Sequence, residues 1–205
     1  NSGEIPLHVA AREWGCGAES LRMLVDAFPR SLQSQCDKGN FPLHCVLSSL
    51  HYDDAAKEQV DFLLNADRDS ARRSNWKGEL PIHVFTEYFP RRPSPALFEV
   101  LDMVVENFPE ALDTFDDRGY LPLHAACAAE NTLELIGFFL DKVKTAVLPK
   151  TRNGDLPLFL AASAGYRRDD CEHLAIAREE FDGTFHRQLL GHSRLCRQRI
   201  RPDRR

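Results

Sequence analysis

Apolar residues recur at helical spacing in a series of separate stretches along the chain. Leu97, Val100, Leu101, Val104, Val105 and Phe108 fall at i, i+3, i+4, i+7, i+8 and i+11, which is one face of an amphipathic helix. The same reading fits Leu21, Leu24, Val25 and Phe28, then Val60, Leu63 and Leu64, then Leu135, Ile136, Phe139, Leu140 and Val143. Ser94 and Pro95 supply an N-cap and a first helical residue for one of these helices, and Asn131-x-x-Glu134 reads as a capping box for another. Phe28-Pro29 and Phe108-Pro109 mark helix exits, because the residue before proline disfavours helical backbone.

A second pattern stands ahead of each stretch. Gly3, Pro6 and His8 recur as Gly39, Pro42 and His44, as Gly78, Pro81 and His83, and as Gly119, Pro122 and His124; Gly154, Pro157 and Phe159 complete a fifth copy. Successive glycines are 36, 39, 41 and 35 residues apart, a period that predicts one small supersecondary unit per repeat in a stacked array. The glycine suits a positive-φ turn and the proline the first turn of a short helix. Mostly small residues follow (Ala10-Ala11, Val46-Leu47, Ala126-Cys127, Ala161-Ala162), as close helix packing requires, with Phe85-Thr86 as the bulky exception. Between each second helix and the next glycine lies a polar finger, and Leu32, Ala71, Leu112 and Val147, each seven residues before that glycine, are expected to pin it down.

Composition adds bounds. With 43% hydrophobic and 28% charged residues the chain has the makings of a packed protein, and its longest apolar runs fall far short of the roughly 20 residues of a membrane-spanning helix. The net charge of −5 argues against the whole chain lying on nucleic acid. From His186 to Arg205, however, seven arginines and one aspartate give +6, leaving −11 on residues 1–185. Six cysteines with no C-x-x-C pair exclude zinc-finger spacing, and Cys45 and Cys127 within apolar runs favour a reducing compartment over a disulfide framework. The chain opens at Asn1-Ser2-Gly3 directly into the motif, which predicts further repeats upstream in a longer protein.

These residues resemble ankyrin repeats, whose signature runs Gly-x-Thr-Pro-Leu-His-x-Ala-Ala. The resemblance implies an all-α solenoid of helix-turn-helix units with projecting fingers over about residues 1–180, followed by a basic tail, 181–205. The match is divergent. Ile5, Phe41, Leu80, Leu121 and Leu156 replace the family's threonine, so the motif histidine is expected to find backbone partners; the glycine ending the first helix recurs only as Gly165.

Four histidines at one repeated position invite a metal reading, but stacked repeats would hold them about 8–10 Å apart, too far to share a zinc at about 2.0–2.1 Å. A structural hydrogen bond explains the periodicity. The acidic pairs Asp53-Asp54, Asp116-Asp117 and Asp169-Asp170 read as caps and turns rather than as acid–base catalysts. Asn65-x-Asp67-x-Asp69 opens like a calcium loop, yet Ser70 stands where glycine is required and Trp76 where glutamate is. No phosphate loop, nucleophile elbow or H-E-x-x-H helix is present, so neither an enzyme nor a cofactor or metal is expected.

The resemblance implies a protein-binding module using a concave face of finger tips and first helices. Carried over position by position, that face comprises Asp37, Lys38 and Asn40; Trp76, Lys77 and Glu79; Asp117, Arg118 and Tyr120; Arg152, Asn153 and Asp155; and, on the first helices, Glu87 and Tyr88 among others. Trp76, Tyr88 and Tyr120 are the expected hot spots, since Trp and Tyr are enriched among residues that dominate interface energy; packing on an adjoining finger is the competing explanation for each. Two other functions remain open: a structural spacer in a larger protein, and a nucleic-acid or nuclear-import contact through the arginine-rich tail. An intracellular location, cytoplasmic and/or nuclear, is expected.

Overall fold

The computed structural model describes residues 3–13, 16–49, 54–129 and 132–166, with 171, 174 and 175. The basic tail, Asn131, Asp53 and the pair Asp169-Asp170 lie outside the described residues.

Every described regular element is helical. Short helices begin at each motif proline: α1 (Pro6–Arg12), α3 (Pro42–Leu47), α5 (Pro81–Glu87), α7 (Pro122–Ala128) and α9 (Pro157–Ala164). The longer amphipathic helices follow in turn: α2 (Ala18–Ala27), α4 (Asp54–Ala66), α6 (Pro95–Asn107) and α8 (Leu133–Lys142). The first helices pack in order, α1 on α3, α3 on α5, α5 on α7 and α7 on α9, while α2 lies against α4 and α4 against α6. Phe98 and Phe138, 6.3 Å apart, and the Lys142–Asp102 ion pair at 2.7 Å join α6 to α8. One apolar layer between the two helix rows includes Leu7, Leu21, Leu43, Leu63, Ile82, Leu101, Leu123 and Leu135, each at most 1% exposed. Phe85 is fully buried and meets Phe89 edge to face at 5.3 Å, so the bulky exception fills the core.

Local chemistry sets the boundaries. The start of α8 differs from the expected capping box: Thr132 is the N-cap, and its hydroxyl accepts from the Leu135 N–H at 3.3 Å. Gly165, at φ 95°, ends α9 in the left-handed conformation. A 3-10 turn, unforeseen in the sequence, follows each second helix, at Pro29–Gln33, Ser70–Arg72, Pro109–Asp113 and Lys144–Val147. The expected pins lie in these turns, with Ala71, Leu112 and Val147 buried and Leu32 half-buried against the core.

The residue before each pin is buried too, and in two turns it is a serine whose hydroxyl finds no partner among the described residues: Ser31 and Ser70. The equivalent positions hold Ala111 and Ala146. Ser70→Ala is therefore expected to stabilise the protein by about 1 kcal/mol, by removing an unpaired buried hydroxyl from a site alanine already fits. A denaturant midpoint that falls instead would reveal a hidden partner.

Candidate functional site: the finger tips and first helices

Each finger ends in the same turn. The N–H of Cys36 donates to the Asn40 carbonyl at 3.0 Å and that of Gly39 to the Cys36 carbonyl at 2.8 Å. Asn75, Asp116 and Thr151 repeat both bonds with Glu79 and Gly78, Tyr120 and Gly119, and Asp155 and Gly154. This is a type I turn closed by a glycine bulge. The turn-opening residue is buried in all four fingers, and in three its side chain grips the backbone beyond. Asn75 Oδ1 accepts from the N–H groups of Lys77 and Glu79 at 2.9 and 3.1 Å, Asp116 Oδ1 from those of Arg118 and Tyr120 at 2.9 and 2.7 Å, and Thr151 Oγ1 from that of Asp155 at 3.1 Å. Cys36 lacks such an acceptor. Asp116, expected as a turn residue, has that role from within the protein.

The fingers stack. The Asp117 N–H donates to the Lys77 carbonyl at 3.0 Å and the Arg152 N–H to the Arg118 carbonyl at 3.3 Å, so adjacent tips are joined through their backbones. The motif histidines join them from below. Nδ1 of His8, His44, His83 and His124 accepts from the backbone N–H of Ile5, Phe41, Leu80 and Leu121 at 3.2 to 3.3 Å. Nε2 faces carbonyl oxygens of the next repeat: Ser34 and Asn40 for His8, Glu79 for His44, Thr114 and Tyr120 for His83, and Pro149 for His124, at 3.0 to 3.2 Å. Since carbonyls only accept and N–H groups only donate, each ring is the neutral Nε2–H tautomer. Burial lowers the pKa of all four, His44 to about 4, against partial compensation from the carbonyl bonds. Both nitrogens of each ring are thus committed, Nδ1 to the start of its own helix and Nε2 to the next repeat. Phe159, at the fifth position, is 46% exposed.

Against this frame of turns and bridges, the expected contact residues divide. Trp76 is 63% and Tyr88 44% exposed, and Asp37, Lys38, Lys77, Asp117 and Arg118 are also exposed. Glu79 corrects the expectation: it is 2% exposed. The residue after the glycine re-enters the turn, and its carbonyl receives the preceding repeat's histidine, so it lies beneath the tips. The Glu79 carboxylate accepts from Asn75 Nδ2 at 2.8 Å and from Arg118 at 3.1 Å, with Lys77 Nζ at 3.9 Å. Asn40 and Tyr120, at the same place in their repeats, are half-buried; Asn40 accepts from Asn75 Nδ2 at 2.9 Å, and the Arg118 guanidinium lies 4.8 Å from the Tyr120 ring centroid.

Arg118 ties this region together. Its Nε bonds Asp116 at 2.8 Å, and a terminal nitrogen reaches both Glu79 and, at 3.8 Å, Glu87 at the end of α5 beside Tyr88. Lys77, Asp117, Arg118, Tyr120 and Glu87 are accordingly joined across two fingers and a first helix, with the exposed Trp76 and Tyr88 each next in sequence to one of them. Sequence position alone did not separate the region's exposed members from its buried ones; the signal was the turn-opening Asn75 and Asp116, whose side chains fix the backbone on the far side of the glycine. Among the described residues no group of three or more His, Cys, Asp or Glu side chains could hold a metal ion, and no helix is long and apolar enough to cross a membrane. No family model matches the chain, and no curated protein matches it.

Proposed function

We propose that the chain is a non-catalytic protein-interaction scaffold, an ankyrin-repeat solenoid that recognises a partner protein on its finger and first-helix face. The observation that carries this reading is the exposure of two large aromatics, Trp76 at 63% on a finger turn hydrogen-bonded to the next and Tyr88 at 44% at the end of a first helix. A large aromatic held on a rigid support loses little entropy on binding and removes much apolar area from water, which is how interface hot spots work. The all-helical fold, the five-fold phrase and the chain of histidine bridges support the solenoid. The motif histidines, the richest source of chemistry in the sequence, are occupied in cohesion, and this favours binding over catalysis. The five described cysteines carry free thiols, in keeping with a reducing, intracellular setting.

The test compares partner capture by the unaltered protein and by a Trp76→Ala/Tyr88→Ala/Tyr120→Ala variant whose helix content is unchanged by circular dichroism. Truncation of Trp76 alone is expected to weaken a captured partner by about 30-fold, the scale of a 2 kcal/mol hot spot. A large fall in melting temperature with unchanged affinity would show that the ring serves stability instead.

A further inference from the structure

The residue two before each motif glycine stands at the same place on successive fingers, and the row it forms is Asp37, Trp76, Asp117 and Arg152. Each lies over the preceding repeat's glycine: Asp37 against Gly3, Trp76 against Gly39 and Asp117 against Gly78. An indole therefore sits between two carboxylates. Asp37 is exposed with no ion-pair partner among the described residues, and the Asp117 side chain, 62% exposed, is paired only at 4.0 Å with Arg152. The cations one position later do not offset them, since Lys77 leans to Glu79 and Arg118 is spent on Asp116, Glu79 and Glu87. Lys38 and Arg152 are the cations left against the two carboxylates, Arg152 standing 4.0 Å from Asp117.

Other rings in the protein carry a cation of its own. Arg73, Arg22, Arg72, Arg118 and Lys142 lie 4.8 to 5.5 Å from the centroids of Phe41, Phe62, Phe108, Tyr120 and Phe138. Trp76, the residue type best suited to that contact, has no such cation among the described residues. An arginine-rich segment fits the row: one guanidinium can stack on the indole while other arginines of the segment pair with the carboxylates one repeat to either side.

The chain holds a segment of that chemistry, the seven arginines between Arg187 and Arg205, at +6 against −11 for residues 1–185. From residue 175 to Arg187 the extended chain reaches about 40 Å, and from the fifth repeat two steps at helix-packing distance to Trp76 amount to roughly 16–20 Å and three to Asp37 to roughly 24–30 Å. We infer that Asp37, Trp76 and Asp117 form a guanidinium-binding row whose occupant is the arginine-rich segment 187–205 of the same chain. The inference rests on the proposed function in placing recognition on the fingers, and it makes the segment a competitor for that surface.

The test uses a labelled peptide of residues 187–205, the full chain, and a full-length variant with those seven arginines changed to glutamine. The peptide is expected to bind the neutralised variant saturably and to bind the unaltered chain about tenfold more weakly, because a tethered segment competes at millimolar effective concentration. Asp37→Asn with Asp117→Asn in the neutralised background is expected to weaken binding at least tenfold while leaving the indole in place; Trp76→Ala is the second variant, and circular dichroism checks folding of both. Absence of binding to the neutralised chain, or binding indifferent to these substitutions, overturns the inference. Equal binding to unaltered and neutralised chains also overturns it, since the surface would then be open to a basic segment of another protein. A partner captured through Trp76 and Tyr88, with no peptide binding, leaves the proposed function standing and removes this inference alone.

Discussion

Lowering the pH from 7 to 5 is expected to destabilise this protein through its buried motif histidines. His44 has a pKa of about 4 in the folded chain, against about 6.5 for an unperturbed imidazole. Between those values the unfolded chain binds a proton that the folded chain refuses, so stability rises with pH across this window and falls on acidification. The contribution is complete above about pH 6.5. At 1.36 kcal/mol per unit, His44 alone removes about 2 kcal/mol by pH 5 and about 3 kcal/mol by pH 4. His8, His83 and His124 are shifted the same way by burial, so their effects add in sign.

The structural cause is the tautomer. A proton on Nδ1 would face the backbone N–H of the same repeat, turning a hydrogen bond into a repulsion at the start of each first helix. Because each imidazole bridges two repeats, its loss uncouples neighbours rather than merely fraying one helix. Urea midpoints measured between pH 7.5 and 5 test this. His44→Ala should be less stable at pH 7.5 yet have a shallower pH slope than the unaltered chain. A flat profile over this range would show that the imidazoles take up protons without cost.

The repeat phrase made the helix starts legible because its residues act locally: proline fixes φ at the first helical position, and glycine alone tolerates the turn. All five first helices begin at their prolines. The departure from threonine also foretold the backbone partners of the histidines. What escaped was the inside of the finger. Cys36, Asn75, Asp116 and Thr151 differ so much in chemistry that their shared place is invisible by similarity, although three supply an acceptor to the N–H four residues on, and two of them also to the N–H two residues on. Glu79 misled for a related reason: a carboxylate beside a turn glycine looks solvated until Asn75 and Arg118, 39 residues away from it, are seen to enclose it. Long-range pairing of that kind has no local signature.

The motif glycines separate two effects that usually come mixed. Gly39, Gly78, Gly119 and Gly154 all have φ between 70° and 86°, where a Cβ costs about 1–2 kcal/mol. At Gly154 nothing among the described residues lies within 4 Å of the place a Cβ would occupy, whereas at Gly119 the Arg152 backbone nitrogen is 2.7 Å from it, and at Gly39 the Trp76 nitrogen is 2.6 Å away. Real Cβ contacts do not come so close, and at Gly119 the obstacle is the Arg152 nitrogen, itself hydrogen-bonded to the Arg118 carbonyl. Gly154→Ala is therefore expected to cost about 1 kcal/mol, after alanine's smaller unfolded-state entropy offsets part of the strain. Gly119→Ala is expected to cost about 2–4 kcal/mol, adding overpacking to the same strain. The excess reports the contact between fingers, so it should appear in the denaturant midpoint and also as a broadened or split transition, as neighbouring repeats lose coupling. Equal losses at Gly119 and Gly154 would mean that the fingers part at little cost, and that the aromatic surface they carry is not held on a rigid frame.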